Sequence, residues 1–275
     1  MSNENLEDTG GKPDFVTALA RGLSVIEAFS ADMPELTLSE VAARVGIAPA
    51  TARRALITLE QLGYVGQTGK RFVLRPKVLS LGSAFLSSMN LRELVQPSLQ
   101  ELADQFKDSA SLAVLDGDSV MYIAHVPNSR RIRYNGSVGY RSPAFGTSLG
   151  LMMWAHLDDA RLEAALARAP FPAYTSKTFT TREQLLQAVA DARARGYATA
   201  QEQLEYDIVA IAVPVRDLTG NIIAAVNCSS ELTRNDVETL VNTRLNALRA
   251  AASQIERGLQ RFPALAHSIT TNQRG

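Results

Sequence analysis

At 275 residues the chain is long enough for two domains, each with its own core. A hydrophobic content of 46% against 20% charged residues excludes a wholly disordered protein. Lys+Arg and Asp+Glu both total 28, so a nucleic-acid partner has to be argued from local charge rather than from net charge. The single cysteine, Cys228, excludes an internal disulfide and suits a reducing, cytoplasmic setting. The N-terminal stretch MSNENLEDTGGKPD is polar and acidic, unlike a signal peptide, and no run of about 18 apolar residues predicts a membrane span.

Residues 1–13 read as a disordered tail. Phe15, Leu19, Leu23, Ile26 and Phe29 then recur at helical spacing, predicting one buried face of a first helix. The pattern TLSE at 37–40 is a capping box, and Gly46 ends the short helix it opens. Pro49 fits the first position of the next helix, where Ala52, Ala55, Leu56, Leu59 and Leu62 form the expected buried stripe. The opposite arc carries Ala50, Arg54, Ile57 and Gln61, flanked by Thr51, Arg53 and Thr58. Two strand signals around TGK at 68–70 make a hairpin. Between Pro49 and Lys77 stand Arg53, Arg54, Lys70, Arg71, Arg75 and Lys77 against one acidic residue, Glu60. Helix, turn, helix and basic hairpin in that order predict a winged helix-turn-helix over 14–75. Thr51, Arg53, Arg54, Thr58, Lys70 and Arg71 are its candidate contacts to double-stranded DNA, because arginine pairs bidentately with guanine and lysine or threonine can hold phosphate.

Residues 76–90 read as a linker helix with Val78, Leu81 and Phe85 on one side. A second domain is expected over 91–262, and 263–275 as a tail. An amphipathic helix from Leu91 to Phe106 leads into a hairpin signature, DGDS at 116–119, between the runs 111–115 and 120–126. A further strand is expected near 132–134. Helices follow over 151–156, 160–167 and 182–195, then apolar strands over 208–215 and 222–228, and a long helix over about 236–260 capped by the segment 233–235. The mixture predicts an α+β domain on an antiparallel sheet.

Catalysis is the competing class. His125, His156 and His267 fall in no metal-ligand spacing, and no G-x-S-x-G elbow, P-loop or dinucleotide fingerprint occurs, so neither a catalytic set nor a cofactor is expected. The segment GTSLG at 146–150 has two readings: a plain loop-to-helix turn, or a pocket whose backbone N–H groups meet an anion. Arg130, Arg131, Arg133 and Arg141 are either solvated or set to meet a ligand carboxylate. Cys228 reads as a core residue. An enzyme or ligand-binding adaptor, with the N-terminal unit used only for dimerisation, is the alternative to a DNA-binding regulator.

The segments RGLSVIEAFS, TLSEVAARVGIAPATARRALITLEQLGYV and LRPKVLSLGSAFLSS resemble the DNA-binding half of IclR-type bacterial transcriptional regulators, and EQLEYDIVAIAVPVRDLTGNIIAAVNCSS resembles the signature region of their effector half. Within the family, ATARRALITLEQLGYV and SPAFGTSLG are most similar to regulators of protocatechuate, 4-hydroxybenzoate and β-ketoadipate degradation. The resemblance implies a GAF-like effector domain, assembly as a homodimer or homotetramer, and an aromatic acid or dicarboxylate effector. By position it implies a pocket at Gly146, Thr147, Ser148, Leu151, Asp207, Ala210, Asn227 and Ser229. Three departures fall there: relatives usually carry Gly where Asp207 stands, Ser or Cys where Ala210 stands, and Lys or Arg where Leu151 stands.

Overall fold

In a computed structural model, residues 14–30, 32–88, 91–127 and 137–269 are described. The chain divides into two compact units, the first ending at Ser88 and the second starting at Met89. The tail at 1–13, the strand expected near 132–134 and Arg130, Arg131 and Arg133 lie outside the described residues.

The first unit runs α1 (Thr17–Glu27), β1 (Glu35–Thr37), α2 (Leu38–Val45), α3 (Pro49–Gln61), β2 (Val65–Thr68), β3 (Arg71–Leu74), a 3-10 turn (Pro76–Val78) and α4 (Leu79–Ser88). The capping box forms as its residues require. Thr37 Oγ1 accepts from Glu40 N–H, while the Glu40 carboxylate accepts from Thr37 N–H at 2.7 Å, which holds Glu40 below the usual carboxylate range. Gly46 closes α2 in the left-handed region, at φ 70°, and sets the turn into α3. Ala52, Leu56 and Leu59 are buried against α1 and α2 with Val25, Phe29 and Val41. Leu62, expected in that stripe, is exposed: it is the C-cap residue of α3, beyond the last packed turn. The α1 reading also needs correction. Val25, Ala28 and Phe29 face the core, whereas Phe15, Leu19 and Leu23 stand 42%, 62% and 47% exposed. The strands form a sheet in the order β1-β3-β2, in which β1 had no signal of its own.

The second unit runs α5 (Leu91–Phe106), β4 (Ser109–Asp116), β5 (Ser119–Val126), β6 (Arg141–Pro143), a 3-10 turn (Ala144–Gly146), α6 (Ser148–Trp154), α7 (Asp159–Leu166), α8 (Arg182–Arg195), β7 (Ala198–Gln201), β8 (Ile208–Arg216), β9 (Ile222–Glu231), α9 (Val237–Gln260) and α10 (Pro263–Ile269). The six strands make one antiparallel sheet in the order β6-β5-β4-β9-β8-β7. Helices α5 and α9 pack together and on the sheet; α6 packs on β7, β8 and β9 and also meets α8. Trp154, Leu149, Met152 and Leu185 anchor the core around α6. Asp236 rather than 233–235 caps α9, accepting from Thr239 N–H at 2.8 Å. Residues 263–269, expected as tail, form α10, whose Leu265 and Ile269 are buried: two apolar side chains one turn apart fix this short helix to the unit.

Candidate nucleic-acid interface and ligand cavity

In the winged unit the face of α3 turned from its core carries Arg53, Arg54, Ile57, Thr58 and Gln61, all exposed, with Thr51 half-buried on the flank. Arg53, Arg54 and Lys70 enter no ion pair among the described residues. The Thr58 hydroxyl bonds back to its own helix, donating to the Arg54 carbonyl at 2.9 Å. The other basic residues have internal tasks that residue counting could not show. Arg71 lies 3.9 Å from Glu35 and 3.8 Å from Glu40, tying the wing to β1 and α2. Lys77 donates to the Leu62 carbonyl at 2.7 Å at the end of α3 and lies 4.9 Å over the Tyr64 ring. The Arg75 side chain lies against Gly66, where a Cβ would meet its Nε. Arg53 and Arg54 on the helix and Lys70 at the wing tip, where Gly69 turns at φ 62°, have neither an ion-pair partner nor an internal hydrogen bond through the side chain among the described residues.

In the second unit the register builds a cavity floor. His125, Ser111, Asn227 and Ala212 sit side by side across β5, β4, β9 and β8; Ser109, Ser229, Ala210 and Ala200 form the next row across β4, β9, β8 and β7. Polar side chains thus occupy the β4/β9 end and methyl groups the β7/β8 end. Gly146, Thr147 and Ser148 border the cavity from the turn into α6, and Leu204 from the β7–β8 loop closes against Gly146. That loop is clasped: Thr178 Oγ1 donates to the Gln203 carbonyl at 2.6 Å, and Gln203 Nε2 donates to the Lys177 carbonyl at 2.8 Å. Glu202 and Glu205 lie at the cavity, and no lysine or arginine does among the described residues.

Gly146, Thr147, Ser148, Ala210, Asn227 and Ser229 come together around this space; Leu151 and Asp207 do not line it. Leu151 is one turn into α6 and buried in the apolar core, because the helix starts at Ser148 instead of at 151. The start is fixed by Thr147, whose Oγ1 accepts from Gly150 N–H at 2.9 Å, so that hydroxyl is a helix cap. Asp207 has φ 63°, the left-handed region that favours the glycine usual in relatives. Its carboxylate turns to the β9–α9 corner and accepts from Thr233 N–H at 2.8 Å, so it places no charge in the cavity. Arg141 pairs with Asp116 at 2.5 Å, away from the cavity lining.

His125 and Tyr122 are cavity residues that sequence reasoning missed. Strict alternation puts positions 122 and 125 on opposite faces. A β-bulge at Ile123 changes the phase: Leu112 pairs with Ala124 and Ala113 with Tyr122, so Tyr122 and His125 share the face of Ser111 and Ala113. Ser111 Oγ lies 3.0 Å from His125 Nδ1. Burial holds His125 below the ordinary imidazole range and raises the Tyr122 phenol. Two buried polar atoms on the cavity wall, Ser148 Oγ and Asn227 Oδ1, have no hydrogen-bond partner.

A winged helix-turn-helix joined to an α+β unit with a polar-lined cavity is the build of a ligand-controlled DNA-binding protein. The chain matches the IclR helix-turn-helix domain over residues 18–69 and the bacterial transcriptional regulator IclR C-terminal domain over 83–257, and it belongs to the IclR family. It is 40% identical to the Pca regulon regulatory protein of Pseudomonas putida, over 89% of this chain and 84% of the relative. It is 33% identical to the p-hydroxybenzoate hydroxylase transcriptional activator of Acinetobacter baylyi, over 88% and 91%. Among solved structures, a transcriptional regulator from Rhodococcus sp. RHA1 matches with 38% identity and TM-score 0.74, covering 90% of this chain and 99% of that one. An IclR homolog from Microbacterium hydrocarbonoxydans, complexed with 4-hydroxybenzoate, matches with 28% identity and TM-score 0.73, covering 89% and 99%. This chain is thus a DNA-binding transcriptional regulator rather than an enzyme. No helix among the described residues is long and apolar enough to cross a membrane.

Proposed function

We propose that this regulator controls genes of aromatic-compound breakdown, and that its effector is an aromatic acid or the dicarboxylate formed from one, held in the cavity over β4, β8 and β9. The observation that carries the reading is the orphaned pair Ser148 Oγ and Asn227 Oδ1: buried polar atoms are costly unless something completes them, and a polar ligand does so. The relatives named for pca and p-hydroxybenzoate control, and the homolog holding 4-hydroxybenzoate, support the chemical class. Effector binding would act on the DNA-binding units through α4, and only to the extent that the ligand binds the two arrangements with different affinity.

Thermal shift tests this with protocatechuate, 4-hydroxybenzoate and β-ketoadipate. An effector at about 100 times its Kd adds about 2.7 kcal/mol, or roughly 5–10 °C in the midpoint of a unit this size. Ser148→Ala should leave the ligand-free midpoint unchanged or higher, since it removes an unpartnered polar atom, while shrinking the ligand-induced shift. No shift with any of the three acids would sink the effector class.

The protein acts on double-stranded DNA as a homodimer or homotetramer. The exposed Leu19 and Leu23 on α1, with Phe15 just before it, support dimerisation through the DNA-binding unit, because neighbouring apolar side chains gain from being covered by a second copy. Replacing Leu19 and Leu23 with glutamate should shift sedimentation towards a smaller species, with helical content kept; an unchanged coefficient would rule that face out.

A further inference from the structure

We infer that His125 is the residue that selects an acid, and that the effector binds as an anion with uptake of one proton onto this side chain. The inference rests on the proposed aromatic-acid reading and goes beyond it by naming the group that answers the carboxylate and the coupling that results.

Any anion entering this cavity needs a positive partner. Among the described lining residues none is a lysine or arginine, and the ionisable ones besides His125 are Glu202 and Glu205, from the β7–β8 loop, and Tyr122, beside the bulge on the strand of His125. The Glu202 carboxylate accepts from Asp207 N–H at 3.0 Å. A carboxylate placed here without a counter-charge would therefore meet like charge in a partly desolvated space. His125 is the described lining residue able to become a cation. The bulge at Ile123 turns it onto the floor, next to Ser111 and two strands from Asn227, in the same row.

The hydrogen-bond partner of His125 is suited to both protonation states. With the ring neutral, the Ser111 hydroxyl can donate to Nδ1, which leaves Nε2–H as the donor to a ligand oxygen. When a carboxylate settles against Nε2–H, the ring takes a proton from solvent onto Nδ1, and the same hydroxyl rotates to accept from it. Nothing is oxidised or reduced; one proton moves from water to the ring. Burial keeps the ligand-free ring neutral near pH 7 and the anion reverses that preference, so the proton arrives with the ligand. The Asn227 amide beside Ser111, whose oxygen has no partner, can present that oxygen or, turned over, its NH2 to the same ligand group. The methyl-lined end at Ala200 and Ala210 is left for the apolar body of the acid.

The test is calorimetric titration of the full-length protein with 4-hydroxybenzoate, protocatechuate and β-ketoadipate, each at pH 7.0 in two buffers of different ionisation enthalpy, with 4-hydroxybenzamide as the neutral control. The acid that binds should take up close to one proton per site, and its affinity should weaken by up to about tenfold per pH unit as the medium becomes basic. The amide should show no uptake. In His125→Gln, which keeps a polar side chain beside Ser111, the acid should bind at least about tenfold more weakly at pH 6.5, with no proton uptake. Binding without proton uptake in the wild type overturns the assignment while leaving the aromatic-acid reading in place. Uptake that persists in His125→Gln also overturns it and moves the proton to Glu202 or Glu205. Silence from all three acids withdraws the aromatic-acid reading itself, and this inference with it.

Discussion

Replacing Arg53 and Arg54 together with alanine is expected to weaken binding to a DNA fragment selected by the wild-type protein by between about thirty-fold and about 10⁴-fold. Each arginine that reads a base is worth about 1–3 kcal/mol, and two independent losses add. Three structural facts place this effect in recognition and not in folding. Both side chains are exposed, neither enters an ion pair among the described residues, and the helix is held by Ala52, Leu56 and Leu59 on its other side. Alanine at these positions also favours the helix slightly. The thermal midpoint should therefore stay where it is while affinity falls. Lys70→Ala is the contrast: a wing lysine on phosphate should weaken binding to all sequences alike and lower the salt slope by about one. Arg71→Ala is expected to loosen the wing, since its guanidinium lies by Glu35 and Glu40. An unchanged gel-shift titration for the double variant would remove α3 as the recognition helix.

What could be read from the residues alone was what depends on near neighbours. The capping box at Thr37 and Glu40 and the left-handed glycine at 46 are each decided within about four residues, and both are present. The apolar runs that became β8 and β9 announced themselves by composition. Short β1, β6 and β7 did not, because three- and four-residue strands are defined by their partners. The same limit governed charge. Six basic residues between 49 and 77 were visible, but only the folded unit shows Lys77 at the end of α3 and Arg71 at the carboxylates of Glu35 and Glu40. In the cavity, the glycine-rich turn and the segment around Asn227 were legible through family likeness. His125 was not: its face depends on one extra residue at Ile123, which shifts the period of β5 and has no local signature. Asp207 was placed correctly in the chain but not in space, since its conformation follows the backbone while its carboxylate follows Thr233.

Gly150→Ala is expected to destabilise the second unit by about 3 kcal/mol or more, a midpoint drop of roughly 6–12 °C. Helix propensity argues the other way: alanine for glycine within a helix ordinarily gains about 1 kcal/mol. Here the added Cβ would run into the backbone of Ala144, at its Cα, carbonyl carbon and oxygen, closer than real Cβ atoms come. That backbone is held on both sides. Ala144 N–H donates to the Asp118 carbonyl at 2.8 Å, and the Ala144 carbonyl accepts from Thr147 N–H at 3.2 Å. Moving it would disturb the β5–β6 end of the sheet and the cap of α6 together, so the steric cost exceeds the propensity gain. Gly146→Ala separates this effect from a general intolerance of side chains in the turn. Its Cβ would meet the Leu204 side chain, at Cγ and the Cδ methyl groups, and no backbone atom is among the nearest, so the side chain rather than the chain has to move. That variant should fold near the wild-type midpoint but bind effector more weakly, because Leu204 closes the cavity against Gly146. Thermal melts of the two variants, with and without 4-hydroxybenzoate, decide the matter: a Gly150→Ala protein as stable as the wild type would mean that the turn into α6 yields, and that the cavity wall it forms is not rigid.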